Sequence, residues 1–421
     1  MLGRCGRVLS DAACRIMKVA IVGGSAASTP ALFLTPEFLE LAGRLDVTLI
    51  GRSENHLRAV RRAIEILTGG AHSVQCSTDL NAVQDASLVL MQARYGGYEG
   101  RARDELFPLR HDVCGDEGLG PGGLAAAWRS WPHLSKALQS VAQRSPDAKV
   151  MLMTAPLSLL VRCANAAFPS LDVTGICELP WVTLRSVCEA LDVPVGEIQF
   201  GYAGVNHLGW FDRLRLGTDD LIPHYASMRR DAEFPSADFI CLHHAIPLKY
   251  LLLHYQPAGV LRRQRAGPSR AIELRAIANR AMQCFLNGAR DEIIKALGRR
   301  PTPWYADAVA PFVAAAAGRP TSTIFFLSSP NDGSLEFLAP DETLEQPFAI
   351  QNGIRRRLPR RGKLAEPLMQ TLQRFVEYER SAAQAVLANQ PAACASVLAK
   401  HPWVRSANGI DRLAADVIAA I

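Results

Sequence analysis

Met17 to Val22 (MKVAIV) is a short apolar run that ends at Gly23-Gly24-Ser25, and apolar positions at helical spacing resume after Pro30 and continue to Leu41. The pattern predicts a strand, a tight glycine turn and a helix N-terminus. Leu45 to Ile50 (LDVTLI) predicts a second strand, Ser87 to Gln92 (SLVLMQ) a third and Lys149 to Thr154 (KVMLMT) a fourth, with helical stretches between them. Strands alternating with helices over the first half imply a parallel, doubly wound α/β sheet of the Rossmann-like type. From Ile198 the pattern changes: isolated strands (IQFGYAGVN, then FDRLRLG), long helical stretches through Asn287 and Leu297, a strand over Thr323 to Ser328, and helices over Leu364 to Leu387 and Asp411 to Ile421. The expected organisation is a doubly wound dinucleotide-binding domain over 17–195 and a mixed α+β C-terminal domain over 196–421, carrying substrate, metal and oligomer contacts. Residues 1–16 are expected to be a flexible tail or to follow a misassigned start, because they carry arginines but no apolar run of signal-peptide length.

At 421 residues, 49% hydrophobic and 20% charged, the chain has the composition of an ordinary globular protein and is long enough for two or three domains. The net charge of +6 comes from scattered arginine, densest at Arg355, Arg356, Arg357, Arg360, Arg361 and Lys363. Such a balance permits nucleic acid weakly and suits an anionic small substrate equally well. Ten cysteines without a CxxC pair, and no secretory leader, predict reduced thiols in the cytoplasm. The most apolar stretch, Ala308 to Gly318, is too short to span a bilayer, so no membrane association is expected.

A glycine turn opening a helix lets backbone N–H groups approach a pyrophosphate. Ser25 stands where the second glycine of a G-x-G pair allows the closest approach, so Gly23, Gly24 and Ser25 read either as a dinucleotide turn or as a plain structural one. The second strand ends in Ile50-Gly51-Arg52-Ser53, with no Asp or Glu for the ribose 2′-hydroxyl. Arg52 and Ser53 can accept a 2′-phosphate instead, which makes NADP a competitor to NAD.

Three further stretches are more specific: YGGYEGRARDELFPLRHDVCGDEGLGPGG (95–123), GICELPWVTL (175–184) and GVNHLGWF (204–211). With VGGSAASTP (22–30) they follow the order and spacing of the motifs of the family 4 glycoside hydrolases, and the chain resembles that family's 6-phospho-β-glucosidase branch most closely. The resemblance continues through AIPLKYLLLHY, SPNDG and YERSAAQAVL and covers nearly the whole chain from Met17. It implies hydrolysis of O-glycosidic bonds in 6-phosphoglycosides by a redox-elimination route, an exception to the usual pair of carboxylates. The sugar is oxidised at C3 by NAD, its C2 proton is removed, the aglycone leaves C1, water adds and the ketone is reduced again. The same resemblance leaves related substrates open: an α-glycoside, an unphosphorylated glycoside or a uronide. A catalytically silent dinucleotide or sugar-phosphate sensor and a plain dehydrogenase are the readings from other classes.

Residue by residue, the resemblance implies that Cys177 and His207 hold a divalent metal, Mn²⁺ in the family, that polarises the C3 ketone. Taken alone, a Cys and a His are ordinary packing residues, and a thiolate favours Zn²⁺. Tyr250 falls on the catalytic tyrosine position, Glu117 on the acidic position that modulates it, and Arg101 and Arg270 on substrate arginines. On its own apolar flanks, Tyr250 reads as a core tyrosine. Glu178 sits where some α-specific members place a proton donor, and it is either that acid or a partner of the metal site. The chain departs from the pattern at Ala155, where the family has an asparagine that contacts substrate, and at Ser25 and Gly51. The family further implies a homodimer or homotetramer acting on a small sugar phosphate.

Overall fold

The computed structural model describes residues 16–230, 233–351, 353–404 and 409–421. The tail expected before residue 16 therefore lies outside the described residues. Six parallel strands lie in the order β3-β2-β1-β4-β5-β6: β1 (Met17–Val22), β2 (Leu45–Ile50), β3 (Ser73–Ser77), β4 (Leu88–Met91), β5 (Lys149–Leu152) and β6 (Asp172–Cys177). This is the doubly wound arrangement the alternating pattern implies, with its switch point between β1 and β4. Val19 and Ile21 enter one hydrophobic core with Val47 and Leu49, while Ala20 and Val22 enter the other with Trp128 and Leu134. Both faces of the sheet are thus covered, as a parallel sheet requires.

The sheet does not stop with the first half of the chain. In a smaller antiparallel sheet, β7 (Ile198–Val205) and β8 (Leu208–Leu216) form a hairpin joined by the short β9 (Asp219–Asp220) and β10 (Ile246–Pro247). The chain then returns as β11 (Phe325–Pro330), β12 (Thr343–Gln351) and β13 (Ile354–Arg357), which extend the large sheet beyond β6, each antiparallel to the strand before it in the sheet. Phe326 pairs with Cys177 and Ser328 with Gly175 along that junction. Phe326 of β11 also meets the rings of Tyr202 and Phe211 at 5.0 and 5.9 Å, so aromatic packing joins the two sheets.

Several elements differ from the sequence expectation. The helix expected from Pro30 to Leu41 is two short helices, Thr29–Leu32 and Pro36–Glu40, because Pro36 cannot continue the first. The strand expected from Phe211 begins at Leu208 and is the second arm of a hairpin. β12 was hidden by Pro347 and by the buried polar residues Glu345 and Gln346, which break an apolar pattern. In the arginine cluster, Arg355, Arg357 and Arg360 pair with Asp172, Asp332 and Asp212, so half of its charges serve the fold. The described cysteines form no disulfide, and no described helix is long and apolar enough to cross a membrane.

Candidate active site

β6 ends at Cys177, and the β7–β8 hairpin turns toward the same edge through only two residues, Asn206 and His207. His207 holds φ at +67°, a conformation costly for a residue with a Cβ and one that collects at functional sites. Its ring lies parallel to that of Tyr250, with centroids 4.2 Å apart and planes within 1°. The Nδ1 atom of His207 is buried and has no hydrogen-bond partner among the described residues. Burial pushes the imidazole down to about 4, against the pull of Glu178 and Glu117, so the ring is neutral and able to ligate.

The buried Cys177 thiol is pushed well above its ordinary range by burial first, then by Glu178 and Glu345. Its sulfur accepts the Leu179 N–H at 3.5 Å and lies 3.8 Å from the Glu178 carboxyl. The hydrogen bond from Leu179 favours the thiolate but is outweighed by burial, and a cation at the sulfur would favour it further. Among the described residues no group of three His, Cys, Asp or Glu side chains forms a ready-made metal cage. The two candidate ligands, one of them an orphaned buried nitrogen, fit an ion that completes its shell with substrate and water.

Facing this pair is a charged cluster in which Glu117, on the loop before the Pro121–Arg144 helix, meets Arg94 of the segment after β4 and Arg101 of the Gly97–Leu106 helix. Glu117 pairs with Arg94 and accepts from Arg101 Nη1 at 2.9 Å. Burial works to raise this carboxyl, but the Arg94 and Arg101 guanidiniums outweigh it and hold Glu117 below the ordinary carboxylate range. Arg101 is fixed from behind, since its Nε donates to Glu105 at 2.6 Å while Glu105 accepts from Ser269 Oγ and the Ala271 N–H at 2.6 and 3.2 Å. The loop needs its glycines: a Cβ at Gly115 would sit 1.8 Å from the Glu105 carbonyl, and one at Gly122 would sit 2.2 Å from that of Asp104. Tyr250 is coupled to both sides of the site. Its hydroxyl is raised by burial and then by Asp116, Cys177 and Glu117, while Arg101 lowers it.

Ala155 lines a cavity of about 40 Å³ with Arg94, Arg101, Asp104 and Arg129, room for a single water beside the cluster. Arg270 is not brought into the cluster: its side chain is half-exposed and pairs with Glu273, and only its neighbours Ser269 and Ala271 reach Glu105. At the other end of the crevice, Gly23 turns at φ +88° with the space for a Cβ filled by the Ala93 nitrogen at 2.6 Å. The Gly23 and Gly24 N–H groups both donate to the Ile50 carbonyl, at 2.8 and 3.0 Å. These glycines shape the turn and bring β1, β2 and the β4 loop together. Ser25 leans against Gly51, and Arg52 stands exposed.

Two contributors escaped sequence reasoning. Arg94 stands one residue before the YGGYEG motif, where its position beside that motif was the available signal. Glu345 gave none. It is 1% exposed on β12 and accepts from Tyr202 at 2.5 Å and from Asn206 Nδ2 at 3.2 Å, which pins the hairpin tip next to His207.

The family model described as family 4 glycosyl hydrolase matches residues 18–193, and that of the family 4 glycosyl hydrolase C-terminal domain matches residues 202–404. The 6-phospho-beta-glucosidase BglT of Thermotoga maritima is 24% identical over 399 residues, covering 92% of this chain and 94% of its own. The 6-phospho-alpha-glucosidase 1 of Lacticaseibacillus paracasei is 25% identical over 372 residues, covering 79% and 81%. A solved 6-phospho-beta glucosidase from Thermotoga maritima, with NAD and glucose-6-phosphate, superposes with a TM-score of 0.86 at 23% identity over 96% of this chain and 98% of its own. The two family models leave little of the described chain unmatched, and the chain is a member of the family 4 glycosyl hydrolases.

Proposed function

We propose that the protein hydrolyses 6-phosphoglycosides, as a 6-phospho-β-glucosidase-type enzyme that uses a nicotinamide dinucleotide and a divalent ion such as Mn²⁺. The observation that carries this reading is the convergence on one crevice of a buried Cys177, an orphaned His207 stacked on Tyr250, and the Arg94–Glu117–Arg101 cluster. Family membership and relatives named as 6-phosphoglucosidases support it. Glucose-6-phosphate and NAD in the solved Thermotoga maritima enzyme support the substrate class and cofactor.

Cys177 and His207 would hold the ion, and the turn at Gly23 to Ser25 would hold the dinucleotide. When bound, these groups supply reversible two-electron oxidation at sugar C3 and positive charge that polarises the C3 carbonyl. The chain's own part is positional and acid–base. Tyr250 removes the C2 proton; burial and the neighbouring Asp116, Cys177 and Glu117 hold its hydroxyl high, and Arg101 is the side chain whose charge works the other way, toward the phenolate. Glu117 keeps Arg94 and Arg101 oriented until substrate oxygens compete for their donors, which suits planar guanidiniums to phosphate or sugar hydroxyls. Glu178, whose carboxyl lies 3.8 Å from the Cys177 sulfur, would protonate the departing aglycone oxygen or act as a partner of the metal site. Ala155 cannot hydrogen-bond a sugar hydroxyl, so the sugar loses one orienting contact, worth about 0.5–1.5 kcal/mol.

The test is release of nitrophenol from the 6-phospho-β-glucoside by purified protein, with Mn²⁺ and NAD⁺ added together and singly. Release that requires both supports the proposal, and faster release from the α-anomer would reassign the stereochemistry. Release without dinucleotide, or none from either anomer, would overturn it.

A further inference from the structure

The glycine turn after β1 is braced from the far half of the chain. The helix leading to Ala310–Ala316 contains a π-helical turn, Tyr305–Val309. Pro311 has no N–H to give the Asp307 carbonyl, which favours the wider turn before it. Turns of this kind are rare inside helices and collect at functional sites.

Tyr305, the first residue of that turn, is 2% exposed, and its hydroxyl lies 2.7 Å from Gln92 Oε1 and 3.4 Å from Ser28 Oγ. Gln92 follows β4, and its Nε2 donates to Thr29 Oγ1 at 2.9 Å and to the Gly23 carbonyl at 3.3 Å. A carbonyl can only accept, so the amide nitrogen faces Gly23 and the amide oxygen faces Tyr305. The phenol therefore donates to Gln92 and is left to accept from Ser28. Gly23 opens the turn at φ +88°, and Ser28 and the fully buried Thr29 close it. One hydroxyl from the second half of the chain thus ties both ends of the loop whose backbone N–H groups would meet a pyrophosphate. The π-helical turn is itself held, since Asp307 accepts from Arg185 Nη1 at 2.8 Å on the Leu179–Ala190 helix. An enclosed network satisfied in one arrangement keeps such a loop in its binding shape before the ligand arrives.

We infer that Tyr305 is a positioning residue for the dinucleotide, which acts through Gln92 to fix the loop from Gly23 to Thr29. The inference rests on the dinucleotide reading proposed above and adds the side chain that sets the loop. Nucleotide-free protein is titrated with NADH, following the fluorescence of the reduced nicotinamide, for wild type, Tyr305→Phe, Gln92→Met and the double variant. Mn²⁺ affinity is measured on each by calorimetry. Tyr305→Phe keeps the ring and removes only the donor, and it is expected to weaken NADH about tenfold with Mn²⁺ affinity unchanged. Gln92→Met is expected to weaken NADH at least as much, and adding Tyr305→Phe to it to cost nothing further, because the two act as one unit. Unchanged NADH affinity in Tyr305→Phe, losses that multiply in the double variant, or a parallel loss of Mn²⁺ affinity overturns the inference while leaving the dinucleotide reading intact. Wild type that does not bind NADH refutes that reading, and this inference with it.

Discussion

Glu379 lies on the Glu366–Leu387 helix, is 3% exposed, and receives a hydrogen bond from Ser158 on the Leu157–Ala167 helix, while its Oε2 has no partner among the described residues. Burial pushes its carboxyl from an ordinary 4.5 up to about 8, against the pull of Ser158. The folded protein therefore keeps a proton that the unfolded chain releases between these two values. The associated stability is fully present below pH 4.5, declines as pH rises, and is gone above about pH 8. Glu379→Gln preserves the shape and the bond to Ser158 but never ionises. At about 1.4 kcal/mol per pH unit, the variant should match wild type near pH 4.5, exceed it by about 3 kcal/mol at pH 7 and by about 5 kcal/mol at pH 9. Urea unfolding followed by circular dichroism at these three pH values measures the gap directly. A gap that does not change with pH, or a wild type that gains on the variant as pH rises, refutes the reasoning, because either result means the carboxylate is solvated or paired in the fold.

Four further variants test the site and its surroundings. Tyr250→Phe keeps the ring that stacks on His207 but removes the hydroxyl, so kcat should fall by about 10²–10⁴ with no change in unfolding midpoint, and retained turnover would dismiss Tyr250 as the base. Cys177→Ser should abolish Mn²⁺ binding in calorimetry, and Glu345→Ala, which frees the Asn206 amide behind the same tip, should weaken it by about 10–100-fold; unchanged Mn²⁺ affinity in Cys177→Ser removes it from the ligand set. Arg129→Met should cost about 3–5 kcal/mol in urea unfolding by stranding Asp104, which is 1% exposed, and a loss below about 1 kcal/mol would mean Asp104 finds another partner.

What could be read from the sequence follows from how local each signal is. β1 and β2 were predicted with their observed bounds because MKVAIV and LDVTLI are short, mostly apolar runs, broken only by Lys18, Asp46 and Thr48, and ended by turn residues. The polar β3 (SVQCS) sits at the sheet edge, and Gly175 interrupts β6, where a Cβ would meet Leu157 at 2.9 Å, so neither carries a periodic signature. In the candidate site, Cys177, His207, Tyr250, Glu117 and Arg101 were legible through their flanking motifs. Glu345 was not, because its meaning depends on β12 returning beside the small sheet far along the chain. Arg270 shows the converse, a motif residue whose side chain the fold turns toward Glu273.

The antiparallel return of β11 has a consequence for how the chain is made. Cys177 ends a strand whose outer edge stays bare until Phe325 emerges, 148 residues later. At about 5–20 residues per second, the growing polypeptide exposes unpaired backbone groups on that edge for roughly 7–30 s of synthesis. The nucleotide-binding half can therefore collapse early on the ribosome, yet it remains open to pairing with other nascent chains until its own C-terminal strands arrive. Translation arrest or truncation between these points would leave an aggregation-prone fragment, and the last strands laid down act as the seal on the first domain.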